Sequence, residues 1–223
     1  MKNMLKSLKG RLDLMMLTRK ERRHAMVGPA ELWKMKRDFQ IQFLKAMGLA
    51  PEHYFLDIGC GTLRGGIPVI AYLEAGHYYG VEVRAELLDE SRKELREAGL
   101  EGKKPNLLQA ADMSQLAIDQ NFDYVWAFSV LIHMRDDILG RTLKFVGQHL
   151  SEEGAFYANV NIGERDEGNW QGFPIVWRTL EFYDRECARS GLAVTDLGAL
   201  KDHGHVSKIE SQDSQRMLRI TKG

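Results

Sequence analysis

Two cysteines in 223 residues are too few for the disulfide framework of a small secreted domain, so a reducing compartment is the simpler expectation. No apolar run reaches the ~20 residues that span a bilayer. The basic start, Met1 to Arg23, lacks a sufficient apolar stretch because Asp13 interrupts it. No signal peptide is therefore expected, and the expected location is cytoplasmic. Lysine and arginine balance aspartate and glutamate at 31 each, and a net charge of zero gives no whole-molecule attraction for nucleic acid. Neither Cys-x-x-Cys nor His-x-x-x-His occurs, so no zinc site is expected. No Gly-Lys-Ser/Thr marks a phosphate-binding P-loop. Repeats and low-complexity segments are missing too. The length fits one α/β domain with a well-buried sheet, not two domains of ordinary size.

What is present is concentrated in Phe55-Leu56-Asp57-Ile58-Gly59-Cys60-Gly61-Thr62-Leu63-Arg64-Gly65-Gly66. It reads as a buried strand closing on an acid, then a glycine turn, then a helix start. Glycines at 59 and 61 allow dihedrals that other residues avoid and let a ligand approach the backbone. A helix N-terminus beyond them suits an anionic or carboxylate-bearing ligand. A dinucleotide fingerprint would need a third glycine where Arg64 stands, which disfavours an NAD-binding dehydrogenase.

Asp57-Ile58-Gly59-Cys60-Gly61 resembles the first motif of the class I S-adenosylmethionine-dependent methyltransferases, Asp/Glu-x-Gly-x-Gly after the first strand. Further segments resemble that family in order, from roughly Asp38 to the C-terminus. Tyr78–Val83 reads as a second strand closing on Glu82, a carboxylate suited to two ribose hydroxyls. Asn106–Ala110 reads as a third, followed by Ala111-Asp112-Met113. The resemblance implies that Asp112 faces the adenine amino group and that a neighbouring backbone N–H, at Met113, meets the ring. Phe122–His133 is similar to the fourth strand and the turn after it, with Ser129 at the strand end. The implied cofactor is S-adenosyl-L-methionine, bound by Asp57, Gly59, Cys60, Gly61, Glu82, Asp112, Met113 and Ser129.

The expected fold is a single Rossmann-like α/β domain over residues 31–223. Its seven-stranded sheet is mostly parallel with one antiparallel strand, and helices cover both faces. Helices are predicted at Glu31–Met47, from the glycine turn to about Glu74, and at Ala85–Ala98, Asp136–Leu150 and Leu180–Ser190. Strands are predicted at Tyr54–Ile58, Tyr78–Val83, Asn106–Ala110, from Phe122, and at Ala155–Asn161, Leu192–Leu197 and Arg216–Thr221. Residues 1–30 form a basic helical extension broken by Gly28-Pro29, with Met1, Met4, Leu5, Leu8, Leu12, Met15 and Met16 along one stripe. A cap over the domain or cofactor is one reading of it. The other is peripheral contact of residues 1–24 with an anionic membrane.

Methyl transfer is an in-line displacement that rests mainly on alignment, but a hydroxyl nucleophile profits from a general base. His133, just beyond the fourth strand, is the first candidate, and an ordering role in a loop is the alternative. His203 and His205 are the second choice and candidate acceptor contacts. The segment Gly163 to Arg178, with Trp170, Phe173 and Trp177, reads as an aromatic wall or lid for the acceptor. Ser129-Val130-Leu131-Ile132 departs from Asp/Asn-Pro-Pro-Tyr/Phe, which argues against methylation of bases by that route. The expectation is O-methylation of a small molecule or glycan. Transfer to a small amine comes next, and a cofactor-binding protein that transfers nothing is a further alternative.

Overall fold

The computed structural model describes residues 18–165 and 168–223. The methionine-leucine stripe of residues 1–16 lies outside them. Seven strands form one sheet in the order β3 (Asn106–Gln109), β2 (Tyr78–Glu82), β1 (Phe55–Ile58), β4 (Phe122–Ala127), β5 (Leu150–Val160), β9 (Arg216–Lys222) and β8 (Leu192–Ala199). β1 to β5 pair in parallel, and β9 runs antiparallel to both neighbours. The order reverses between β1 and β4, which opens a crevice at the C-terminal ends of the strands. Asp57, Glu82 and Ser129 stand at those ends.

Each central strand is buried on both faces, and alternate residues feed two separate cores. Leu56, Val125, Phe156 and Leu218 face one core with Leu139, Leu143 and Val146 of α5 (Asp136–His149) and Tyr183 and Cys187 of α6 (Leu180–Ala188). Phe55, Trp126, Tyr157 and Met217 face the other. There they meet Phe39 and Phe43 of α2 (Trp33–Ala46), Val69 and Ile70 of α3 (Gly66–Tyr72), and Leu88 and Leu95 of α4 (Ala85–Glu97). Pro68 sits in the first turn of α3, where its missing N–H costs no helical bond.

Two elements differ from the pattern read in the sequence. β5 begins at Leu150, not at Ala155, because Leu150 pairs with Phe122 and the register then shifts. Gly154 lies inside the strand at that irregularity, where a Cβ would come within 2.9 Å of the Phe122 carbonyl oxygen. The segment after β5 is not merely a loop. It carries a hairpin of β6 (Gly168–Trp170) and β7 (Phe173–Ile175), turning through Gln171 and Gly172, both at positive φ as a type I′ turn requires.

The basic extension is also more particular than a single helix. Thr18 caps a short helix, α1 (Arg19–Ala25), in a reciprocal capping box with Glu21. α1 lies on α4, with Arg23 buried among Glu90, Glu94 and Glu97 at 3.6, 3.3 and 2.7 Å. His24 stacks on Trp33, ring centroids 3.6 Å apart, and reaches Glu94 at 3.2 Å. Lys20 and Arg22 remain exposed. Among the described residues no helix is long and apolar enough to cross a membrane.

Candidate functional site

The crevice widens into a cavity of about 680 Å3, within the range of small-molecule and cofactor sites. Its first wall is the glycine turn. Gly59, Gly61 and the fully buried Leu63 have φ of 72°, 56° and 61°, so three alternate residues share the left-handed conformation. Leu63 adopts it without glycine's freedom, at a typical cost of about 1 kcal/mol. Cys60 sits buried behind the turn, against the Gly80 backbone, where a Cβ would come within 3.0 Å of its Sγ. Thr62 lines the cavity, and its hydroxyl is buried without a hydrogen-bond partner. An orphaned polar atom beside a turn stripped of Cβ atoms fits the polar, amino-acid end of S-adenosylmethionine.

Asp57 and Glu82 line the same wall with different duties. Glu82 accepts from the Gly61 N–H through one oxygen, and from the Val83 and Arg84 N–H groups through the other. It thus ties β2 to the glycine turn while keeping lone pairs for a ligand. Asp57 accepts a 2.6 Å hydrogen bond from the Tyr78 hydroxyl. Burial, aided by the Glu82 charge, pushes its carboxyl up to about 7 despite the Tyr78 bond and nearby Arg64.

Beyond β3, Ala110, Ala111 and Met113 line the cavity, but Asp112 does not. Its one oxygen caps the Met113–Gln115 turn through Ser114, and the other meets Arg141 at 2.6 Å. These bonds hold the carboxyl below its usual range. The carboxylate expected to face an adenine amino group is engaged here by its own loop and by α5.

After β4, Ser129 takes a φ of 61° and gives its N–H to Asn159 Oδ1 at 2.6 Å. Asn159 donates to Gln215, Gln215 to Asn161, and Asn161 to the Val176 carbonyl. This buried amide chain joins the ends of β4, β5 and β9 to the segment after β7. Val176 N–H returns to the Ile132 carbonyl, and Arg178 holds Asp136 and the Met134 carbonyl. The hairpin is fixed by these bonds over the turn that carries His133.

His133 lines the cavity under that hairpin. Its Nδ1 lies 2.7 Å from the Pro174 carbonyl oxygen, and its ring stacks near Trp170 at 5.4 Å with Phe173 at 6.3 Å. Burial, with the Arg84 charge, holds the imidazole below its usual range even though the Pro174 bond opposes this. Trp170, Phe173 and Trp177 also line the cavity. His203 and His205, expected as acceptor contacts, are not among the residues that line it. His203 Nε2 is tied to the Leu197 carbonyl and its ring meets Phe43 edge-on. His205 is buried behind Phe128 and Phe39, bound to Asp213 at 2.8 Å.

The opposite wall was not legible in the sequence. Lys36 and Gln40, one turn apart on α2, line the cavity with Arg64, Gln212 and Gln215. Gln40 accepts from Trp126 Nε1 over β4 and donates to the Lys36 carbonyl. Above them Val27, Gly28 and Pro29 cross the glycine turn: Arg64 donates to the Val27 carbonyl, and a Cβ on Gly61 would meet Val27 Cγ1 at 2.9 Å. Among the described residues no cluster of side chains could hold a metal ion.

Residues 56–156 match the family model described as a methyltransferase domain. No curated protein matches the chain. Among solved structures it is similar to magnesium protoporphyrin IX methyltransferase from Synechocystis PCC 6803, solved with bound S-adenosylmethionine, at 16% identity and a TM-score of 0.64, over 87% of this chain and 81% of that one. It is similar to an S-adenosylmethionine-dependent methyltransferase from Clostridium acetobutylicum at 18% identity and 0.62, over 99% and 98%. A glycopeptide N-methyltransferase complexed with sinefungin matches at 17% identity and 0.64, over 82% and 92%. Residues 56–156 thus form a methyltransferase domain, and the fold of the chain is that of S-adenosylmethionine-dependent methyltransferases.

Proposed function

We propose that this methyltransferase moves a methyl group to an oxygen nucleophile on a small molecule or glycan, with His133 as general base. The observation that carries the reading is the bond between His133 and the Pro174 carbonyl. A carbonyl oxygen only accepts, so Nδ1 holds the proton and Nε2 keeps its lone pair. With the imidazole held below its usual range, it is uncharged at neutral pH and ready to take a proton.

The cofactor, when bound, supplies an electrophilic methyl group on a sulfonium. The chain's own residues bind, orient and dry the site. The glycine turn with Thr62 takes the amino-acid end, Glu82 the ribose hydroxyls, and Ala110, Met113 and Ser129 wall the base. Residues 18–30 act as a cap on a domain that begins near residue 31. The hairpin excludes water from the nucleophile. Both cysteines are free and buried, in keeping with a reducing, cytoplasmic setting.

A bare Nε2 could equally relieve an ammonium of its proton, which makes transfer to a small amine the second reading. A screen of hydroxyl and amine acceptors, read by release of S-adenosylhomocysteine, separates them. Turnover of alcohols or phenols with His133 required supports the proposal, and turnover of amines alone rejects it.

A further inference from the structure

Two buried cations share the wall of this cavity without a matching anion. Lys36 is 6% exposed, and among the described residues its ammonium has neither a hydrogen-bond nor an ion-pair partner. Arg64 is 9% exposed; one nitrogen reaches the Val27 carbonyl, while Nε is buried with no acceptor. The Gln212 side-chain oxygen beside them is also buried without a donor.

The nearby carboxylates are committed elsewhere. Asp57 is held by Tyr78, Glu82 by three backbone N–H groups, and Asp213 by His205 and Ser207. Asp213 and Asp57 lie near enough to act on Lys36 and Arg64, but neither comes within ion-pair distance of them. Burying unpaired charge is costly, so the complete complex calls for another anion. Lys36 lies near both Arg64 and Asp213 and lines the cavity together with Phe128 and Ser129, which follow β4.

We infer that the methyl acceptor carries an anionic group, a carboxylate or phosphate, and that Lys36 receives it with Arg64, Gln212 and Gln215 alongside. The inference rests on the methyltransferase reading above and names the substrate class of that same cavity. Trp170, Phe173 and Trp177 line the same cavity and suit a flat apolar body, so an aromatic acid or aryl phosphate matches both the cationic and the aromatic lining.

The test is calorimetry on the full chain saturated with S-adenosylhomocysteine, titrated with benzoate, phenyl phosphate and uncharged benzyl alcohol. One or both anions should bind about ten-fold or more tighter than the alcohol. Lys36→Met should erase that preference with S-adenosylhomocysteine affinity unchanged, and Lys36→Arg should keep it. Equal binding of all three probes by the wild-type protein, or no binding of either anion, overturns the inference. So does a Lys36→Met variant that loses S-adenosylhomocysteine but still holds its decarboxylated analogue, since the cation then serves the cofactor's carboxylate. Failure of the wild-type chain to bind S-adenosylhomocysteine would bring down the cofactor reading instead.

Discussion

At the scale of single residues, the site depends on which atoms already have partners. His133 offers Nε2 because Nδ1 is committed to Pro174. If that nitrogen takes the acceptor proton, His133→Ala should lower turnover about 100-fold with cofactor affinity preserved. The wild-type rate should fall with acid through a pKa below the ordinary histidine value, and that limb should vanish in the variant. Near-normal turnover would leave His133 as the residue that orders the hairpin. Glu82 makes a second prediction. Glu82→Gln keeps the shape but replaces one acceptor oxygen by a donor, setting it against the N–H of Gly61 or those of Val83 and Arg84. Charge-assisted bonds are worth about 1.5–3 kcal/mol, so S-adenosylhomocysteine should bind about ten-fold more weakly or worse. Undiminished affinity by calorimetry would remove Glu82 from the cofactor site.

The same scale explains what the sequence disclosed. Asp57, Gly59, Gly61 and Glu82 were legible because backbone geometry fixes their type: strand ends, and a turn that needs left-handed φ. The partners of Asp112 were not legible, because strand position sets where a carboxylate starts, not which neighbour claims it, and Arg141 lies 29 positions away in sequence. Lys36 and Gln40 were passed over as polar residues on an amphipathic helix. Yet they step in register with Trp33, Phe39, Phe43 and Leu44, all buried. Polar residues on an apolar helical face were the available signal.

At the scale of elements, the sheet and its helices followed from periodicity, whereas the pieces that close the cavity did not. The β6–β7 hairpin has too few residues per strand for alternation to show, and its turn places a glutamine at positive φ. α1 owes its position to ion pairs with a helix some seventy residues away, a relation that no local pattern contains. That latch is testable. Arg23→Ala leaves Glu94 buried without its arginine, and loss of one partner in a buried pair is strongly destabilising. The cost should fall locally on the cap. Amide hydrogen exchange in residues 18–29 should accelerate, and S-adenosylhomocysteine should dissociate about ten-fold faster while the sheet stays protected. Unchanged exchange and unchanged dissociation would mean that these residues do not gate the cofactor.

At the scale of the whole molecule, the cavity should leave a mark on stability. The Asp57 carboxyl rises from 3.8 to about 7 on folding, chiefly through burial. Between those values the unfolded chain has released a proton that the folded one keeps, so stability falls as pH climbs from about 4 to 7. Lys36 runs the other way, dropping from 10.5 to about 7 through burial with Arg64 nearby. Between about 7 and 10 the unfolded chain holds a proton that the folded one has shed, so stability climbs again with pH. His24, His133 and His205, each held by burial below the usual histidine range, add a rise of stability with pH on the acid side, against the Asp57 slope. The two slopes are therefore read by difference, from thermal melting of the ligand-free wild type and variants across pH 5 to 9. Asp57→Asn should gain stability relative to the wild type as pH climbs from about 5 to 7, and Lys36→Met should lose it relative to the wild type as pH climbs from about 7 to 9. Differences that do not change with pH would mean that neither group is strained by folding. The cavity would then be charge-balanced before any ligand arrives, and the argument for an anionic acceptor would lose its electrostatic ground.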